Sequence, residues 1–396
     1  MNPYVRKLCK IAGKDSRTIL GLMSGTSLDG LDIALCRISG SGPGTRLELE
    51  RFTTVPYEES IKAEIHKVFA KPHVDFQFLC VLNPFIGRLH AGLINAALAE
   101  WGILPGEIDL IASHGQTVFH APQAQHGWES YPNATLQIGD GDHIAVHTGI
   151  ITLSDFRQKH IAAGGEGAPL AVYGDYLLFS SATENRILLN LGGIANFTFL
   201  PDSSRPEPVF TTDTGPGNTL MDGLAQTCLG QPFDPDGTLA ASGSVNPQLL
   251  SGLLTNPFFG QPFPKSTGPE VFNASYVQAA REQTGTTDIA PADVMATLAE
   301  LTAVTSTEAI LKCIDGHGKN VVYVSGGGAN NPHLVATIAE KLGDIPLKPM
   351  SDLGVPGDAK EAVLFAVLAN EAVAAPNPAP GSPEFGIGLG KISLPG

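Results

Sequence analysis

The chain has 396 residues, 43% hydrophobic and 16% charged, too long for one ordinary domain and well supplied for two cores. Its formal net charge of −15, from 24 Lys+Arg against 39 Asp+Glu, speaks against a nucleic-acid or anionic-membrane surface. The five cysteines (Cys9, Cys36, Cys80, Cys228, Cys313) are widely spaced and form no Cys-x-x-Cys pair, which disfavours a disulfide framework or structural zinc and suits a reducing compartment.

Apolar runs predict strands over 18–23 and 31–38, joined by the polar turn SGTSLDG, and a third over 46–55. Helical spacing follows over 58–70 and 76–101, with Asn83-Pro84 expected to interrupt the second helix. A strand over 107–112 runs into SHGQT, a helix covers 142–147, and another strand covers 150–153. A second series begins with a hairpin, 186–191 and 194–200, then a strand over 209–212 that meets DTGPGN. Helices are expected over 219–229, 293–314, 334–342 and 358–374, with a strand over 321–325 before GGGANNP and a Pro/Gly connector over 375–384. Neither a signal peptide nor a spanning helix is expected. Strands alternate with helices in both halves, so the class is α/β, with a weak internal echo. The predicted division is 1–157 with the tail 384–396, and 158–383.

Three glycine turns carry the chemistry. Ser24 to Gly30 offers hydroxyls (Thr26, Ser27), backbone N–H groups about Gly25 and Gly30, and Asp29, which suits phosphate with water or Mg²⁺; a plain polar hairpin turn reads equally well. Asp213 ends a strand beside Gly215, Gly217 and Asn218 at a helix start, a base next to an anion site or simply a helix cap. Gly326, Gly327, Gly328 and Asn331 follow a buried strand, bare backbone for a nucleotide or a flexible loop. P-loop, dinucleotide-binding, esterase-elbow and zincin signatures are absent from the sequence.

In this order the turns resemble the two phosphate loops and the adenosine loop of the actin, Hsp70 and hexokinase superfamily. GLMSGTSLDGLD (21–32), SHGQT (113–117), LQIGDGDHIA (136–145), TLSDFRQKHIAAGGEGAPL (152–170), LNLGGIAN (189–196), DTGPGN (213–218), PKSTGPE (264–270), MATLAELTA (295–303), VSGGGANNP (324–332) and GDAKEAVLFA (357–366) further resemble the anhydro-N-acetylmuramic acid kinase family, whose sister group is the levoglucosan kinases. The resemblance implies a two-lobed actin-like ATPase (ribonuclease H-like) fold with nucleotide in the interdomain cleft. It implies an ATP- and Mg²⁺-dependent enzyme of cell-wall recycling that opens the 1,6-anhydro ring with water and phosphorylates O6. It also implies a cytoplasmic homodimer with small-molecule partners, and neither nucleic acid nor membrane.

Under that resemblance Asp213 matches the catalytic base. The 25–30 loop, with Asp29 on Mg²⁺, and Gly215 and Gly217 serve the phosphates, and Gly326 to Gly328 serve the adenosine. Arg157 can fork onto the lactyl carboxylate of the sugar or form an interdomain ion pair. Asp155 stands beside it. Gln137 and Asp140 can bond sugar hydroxyls or cap turns. His114 can face the substrate or be a structural histidine. Glu361 can be a second carboxylate near the phosphates or a helix N-terminal charge. Glu166 stands where the family usually has an amide, and Pro269 where it has an arginine, so the exact anhydro-sugar stays open between muramic acid and levoglucosan. A nucleotide-dependent scaffold and an inactive paralogue are the remaining alternatives.

Overall fold

The computed structural model describes residues 1–25, 28–167, 170–202, 208–314, 318–375 and 388–396. Its contacts divide the chain into two units, Met1–Leu178 with Gly354–Gly396, and Phe179–Leu353. Thr26, Ser27 and most of the expected 375–384 connector lie outside the described residues.

In the first unit, β1 (Ser16–Ser24) pairs antiparallel with β2 (Gly30–Ser39), and β2 with β3 (Arg46–Pro56). On its other side β1 runs parallel to β4 (Leu110–Ala121). Two further strands, β5 (Ala134–Ile138) and β6 (Thr152–Ser154), pair with β4, and the terminal strand Lys391–Ser393 closes the edge on β6. The inner strand is buried on both faces, which its unbroken apolar run foretells. Leu20 and Leu22 join Ile86, Ile94 and Leu98 of the Phe76–Trp101 helix in one core, each such side chain contributing about 1.5–3 kcal/mol by burial. The opposite face takes the helix Lys360–Ala374 so closely that a Cβ on Gly21 would come within 1.9 Å of the Ala362 carbonyl oxygen.

That contact explains where the division differs from the sequence expectation. The 360–374 segment belongs with the first sheet, because Gly21 opposite Ala362 and Ala366 lets helix and strand backbones meet. The segment 158–178 stays with the first unit too. A second expectation also changes: the Phe76–Trp101 helix runs through Pro84 without a break. Its core contacts outweigh the one lost hydrogen bond. Beside Pro84 the 139–140 loop docks, Gly139 N–H donating to Asn83 Oδ1 at 2.8 Å and Asp140 N–H to the Asn83 carbonyl at 3.4 Å.

In the second unit the hairpin β7 (Asn185–Leu191) and β8 (Ile194–Leu200) continues antiparallel into β9 (Phe210–Pro216), while β10 (Asn320–Ser325) and β11 (Leu347–Pro349) extend parallel from β7. Its order, β11-β10-β7-β8-β9, repeats the main path of the first sheet, β6-β4-β1-β2-β3. Both units therefore carry one α/β frame: an antiparallel three-strand meander, then two parallel strands on the far side of its first strand. The weak internal echo in the sequence is thus a repeated α/β frame.

The helix Pro291–Cys313, expected over 293–314, is long and apolar enough to cross a membrane, with a window of mean hydropathy 1.3. It is a core helix, with 78% of that window buried. Its hydroxyls are used inside: Thr302 donates to the carbonyls of Pro216 (3.0 Å) and Gly217 (3.1 Å), and Ser306 meets Thr214 at 3.2 Å.

Candidate functional site

In the second unit, a cavity of about 330 Å³ is lined by Asn218, Gly327, Gly328 and Asn331 among the predicted residues, and by Met221, Asp222, Phe233, Asp234 and Asp236 besides. Asp234 accepts from the N–H groups of Leu239 and Ala240, both at 2.9 Å, and so fixes the wall of the cavity. The Asp222 carboxyl is raised from its ordinary value by burial. Gly327 is exposed, and an added Cβ would make only an ordinary contact, with Asn218 Nδ2 at 3.6 Å. The flanking glycines serve packing instead. A Cβ on Gly326 (φ +85°) would lie 2.6 Å from Asn190 Oδ1, and one on Gly328 2.7 Å from the Leu191 Cβ. Asn331 caps the helix Pro332–Leu342 through the Leu334 N–H at 3.0 Å.

Asp213 lies in β9, farther into the strand than the sequence expects. Its Oδ2 accepts from the Thr267 N–H at 2.8 Å and the Ser266 hydroxyl at 3.1 Å; among the described residues Oδ1 has no partner. Burial raises its carboxyl from the ordinary value, and those two hydrogen bonds oppose the rise. A half-accessible, singly anchored carboxyl of raised pKa is suited to take a proton.

The following segment departs from expectation. The N–H groups of Gly217, Asn218 and Thr219 do not point at an open anion site. They donate to the carbonyls of Gly192 and Gly193 at 2.8–3.2 Å. Asn218 Nδ2 adds a bond to the Leu191 carbonyl at 2.9 Å. Gly217 is required because a Cβ would meet the Gly192 oxygen at 2.2 Å, and Gly215 (φ +142°) because one would meet the Phe259 ring at 2.8 Å. The DTGPGN turn is thus a clamp on the β7–β8 hairpin.

In the first unit, Gly25 begins the turn and Gly30 opens β2; a Cβ on Gly30 would strike the Val55 carbonyl at 2.2 Å. Asp29 is exposed. Asp32, half-buried and bonded by the Thr54 hydroxyl at 2.6 Å, is raised by burial and then by the charges of Asp358 and Asp29. Glu361, accessible at the start of its helix, is raised by desolvation first, then by Asp32, while Arg157 and Lys360 lower it. Carboxylates from three segments therefore share one neighbourhood, of which the sequence offered only Asp29 and Glu361.

A polar cavity of about 210 Å³ in the same unit gathers His114, Gln137, Asp140 and Asp155, with Asn83, Ser154, Lys391 and Ser393. Asp140 also caps the helix Gly141–Thr148, accepting from Asp142 N–H at 2.9 Å. The Gln137 amide nitrogen is held by Thr117 (3.2 Å) and Thr135 (2.9 Å), leaving its buried Oε1 without a partner among the described residues. Asp155, at φ +56°, pairs with Lys391. Arg157 and Glu361 are not in this lining. Arg157 donates through Nε to His114 Nε2 at 2.9 Å and through Nη1 to the Gly167 carbonyl at 2.7 Å. His114 is accordingly an acceptor, held neutral as burial and the Arg157 charge push it down to about 3. His114 therefore has the hydrogen-bonded place of a structural histidine, and it also belongs to the cavity lining.

Two groups escaped the sequence reading. Gln116, inside SHGQT, bonds the Gly25 carbonyl, and the Gly192-Gly193 turn occupies in the second sheet the place of the 25–29 connection in the first. The internal echo was the available signal for the latter.

A family model described as anhydro-N-acetylmuramic acid kinase matches residues 17–391. The protein of that name from Pseudoalteromonas atlantica is 51% identical over the full length of both chains. Its counterpart from Caldanaerobacter subterraneus subsp. tengcongensis is 40% identical over 93% of each. Among solved structures, an activator of 2-hydroxyisocaproyl-CoA dehydratase from Clostridium difficile with bound ADPNP covers 90% of this chain and 95% of its own, at 10% identity and a TM-score of 0.39.

Proposed function

The chain belongs to the anhydro-N-acetylmuramic acid kinase family, and we propose that Asp213 is the base of its reaction. The enzyme is a sugar kinase. It adds water to C1 of 1,6-anhydro-N-acetylmuramic acid, breaks the C1–O6 bond and transfers the γ-phosphoryl group of ATP to O6, giving the sugar 6-phosphate and ADP. The single observation that carries the assignment is the Asp213 carboxyl, with one oxygen anchored by Ser266 and Thr267 and the other unbonded among the described residues. That oxygen takes the proton of the attacking water, a contribution of about 10²–10⁴ in rate. As the C1–O6 bond breaks, O6 becomes the nucleophile toward phosphorus.

The cavity bearing Gly327, Asn218 and Asn331 suits the adenosine end, Gly327 presenting backbone without a side chain. The 25–30 turn and the Gly192-Gly193 turn are assigned to the phosphates by their matching places in the two sheets. The donor set around Asp29 and Asp32 fits Mg²⁺, which binds through one or two carboxylates plus phosphate and keeps the rest of its water. When bound, the ion offsets charge on the transferring phosphoryl group. The unpartnered Gln137 Oε1, Asp140 and Asp155 suit sugar hydroxyls, and Arg157, with Nη2 uncommitted among the described residues, suits the lactyl carboxylate.

The test is coupled ADP release with ATP, Mg²⁺ and 1,6-anhydro-N-acetylmuramic acid, beside levoglucosan and glucose. Turnover on the anhydro-muramic sugar is expected. Turnover on levoglucosan alone would transfer the chain to the sister activity, and silence on all three would overturn the kinase assignment.

A further inference from the structure

The Gln116 side chain fixes the direction of every hydrogen bond behind it. Its Nε2 donates to the carbonyls of Gly25 (3.0 Å) and Thr117 (3.1 Å), which can only accept, so Oε1 must face Ser24. The Ser24 hydroxyl therefore donates to Gln116 Oε1 and must accept from Tyr57, whose hydroxyl lies 2.8 Å away. With its proton committed to Ser24, Tyr57 accepts from His90 Nε2 at 2.7 Å. His90 is thus the Nε2–H tautomer, and its Nδ1 lone pair has no partner among the described residues. Burial keeps the ring neutral, pushing it down to about 4. All four side chains are buried.

The chain joins two places in the first unit. At one end is the carbonyl of Gly25, immediately before Thr26. At the other is His90 on the Phe76–Trp101 helix, 3.6 Å from where a Cβ on Gly139 would stand. That same helix holds Gly139 and Asp140 through Asn83, and both of those residues line the polar cavity.

We propose that Tyr57 and Gln116 are positioning residues: the one-way chain from His90 through Tyr57, Ser24 and Gln116 to Gly25 ties the start of the phosphate turn to the helix that carries the sugar-cavity loop. This rests on the kinase reading of that turn and cavity. Loss of the Tyr57 hydroxyl unties Ser24 and Gln116 from His90 while leaving every proposed ligand contact in place, so its effect falls on the chemical step.

Two measurements test it. A long-range ¹H–¹⁵N imidazole spectrum of the wild-type protein should show His90 protonated at Nε2 and bare at Nδ1. The opposite tautomer would reverse Tyr57 and overturn the proposal, whatever the activity. Tyr57→Phe should then lower kcat about tenfold, the effect of one buried hydrogen bond, with KM for the sugar within about twofold of wild type. Thr148→Val, which removes another buried hydroxyl of the same unit, bonded only within its own local segment, should not lower kcat. Equal losses in the two variants, or a rise in KM alone, would reduce Tyr57 to a structural role. A wild-type enzyme silent on the sugar would instead sink the kinase reading, and the tautomer would still decide the chain.

Discussion

The β1–β2 and β7–β8 connections hold equivalent places in sheets of the same order, yet they are built differently. In the first unit residues 25–29 link the strands, the Gln116 side chain holding the Gly25 carbonyl and the Tyr57 N–H holding that of Asp29. In the second, Gly192 and Gly193 alone link them, and backbone holds the link, through N–H groups of residues 217–219. The third strands diverge too. β3 is a half-exposed edge, whereas β9 carries Asp213 and runs into the clamp. A duplicated frame need not duplicate its chemistry: the second unit has a two-glycine turn clamped by backbone amides with the proposed base on the neighbouring strand, and the first has a longer link held in part by the Gln116 side chain.

The largest effect should come from that base. Asp213→Asn keeps size and most hydrogen-bonding capacity but cannot accept a proton, so kcat should fall by about 10²–10⁴ while ATP affinity, read by calorimetry, holds. The pH profile sharpens the point. The base acts when deprotonated, and burial has raised its pKa, so activity should fall with decreasing pH through a value above that of an ordinary aspartate. An acid limb at or below the ordinary value would show that another group titrates.

The backbone clamp can be broken next. Gly217→Ala places a Cβ 2.2 Å from the Gly192 oxygen, backbone against backbone, whereas Gly193→Ala meets only the Thr219 hydroxyl at 2.7 Å, which can rotate away. Thermal unfolding should show Gly217→Ala costing about 1–3 kcal/mol and Gly193→Ala clearly less. Equal losses would mean that the hairpin is not held by the clamp.

What the sequence made legible follows from local physics. Unbroken apolar runs marked β1, β7 and β10, glycine clusters marked the turns, and motif order marked the family. The missing parts are tertiary. Nothing local says that Ala362 sits under Gly21, which carries the late helix into the first unit. Pro84 looks like a break until Ile86, Ala91 and Ile94 are seen buried beyond it. The DTGPGN amides look free for phosphate until the carbonyls of Gly192 and Gly193 are found opposite them. Gln116 is one polar residue in a strand, and only the placement of Ser24, Tyr57 and Gly25 around it gives it a task.

The smallest effect is expected on the first unit's polar cavity, where one side chain carries two readings at once. Asp140 caps the Gly141–Thr148 helix and also lines the cavity. Asparagine caps a helix about as well as aspartate, so Asp140→Asn should leave stability within about 0.5 kcal/mol, while Asp140→Ala should cost about 1 kcal/mol. If the carboxylate also binds a sugar hydroxyl, replacing a charged acceptor by a neutral one should raise KM for the sugar roughly three- to tenfold with kcat nearly unchanged. Wild-type KM in Asp140→Asn, with stability lost only in Asp140→Ala, would make Asp140 a cap alone. The sugar would then rest on Gln137 and Asp155, and the first unit would hold its ligand, like its turn, through side chains that fold and bind by separate means.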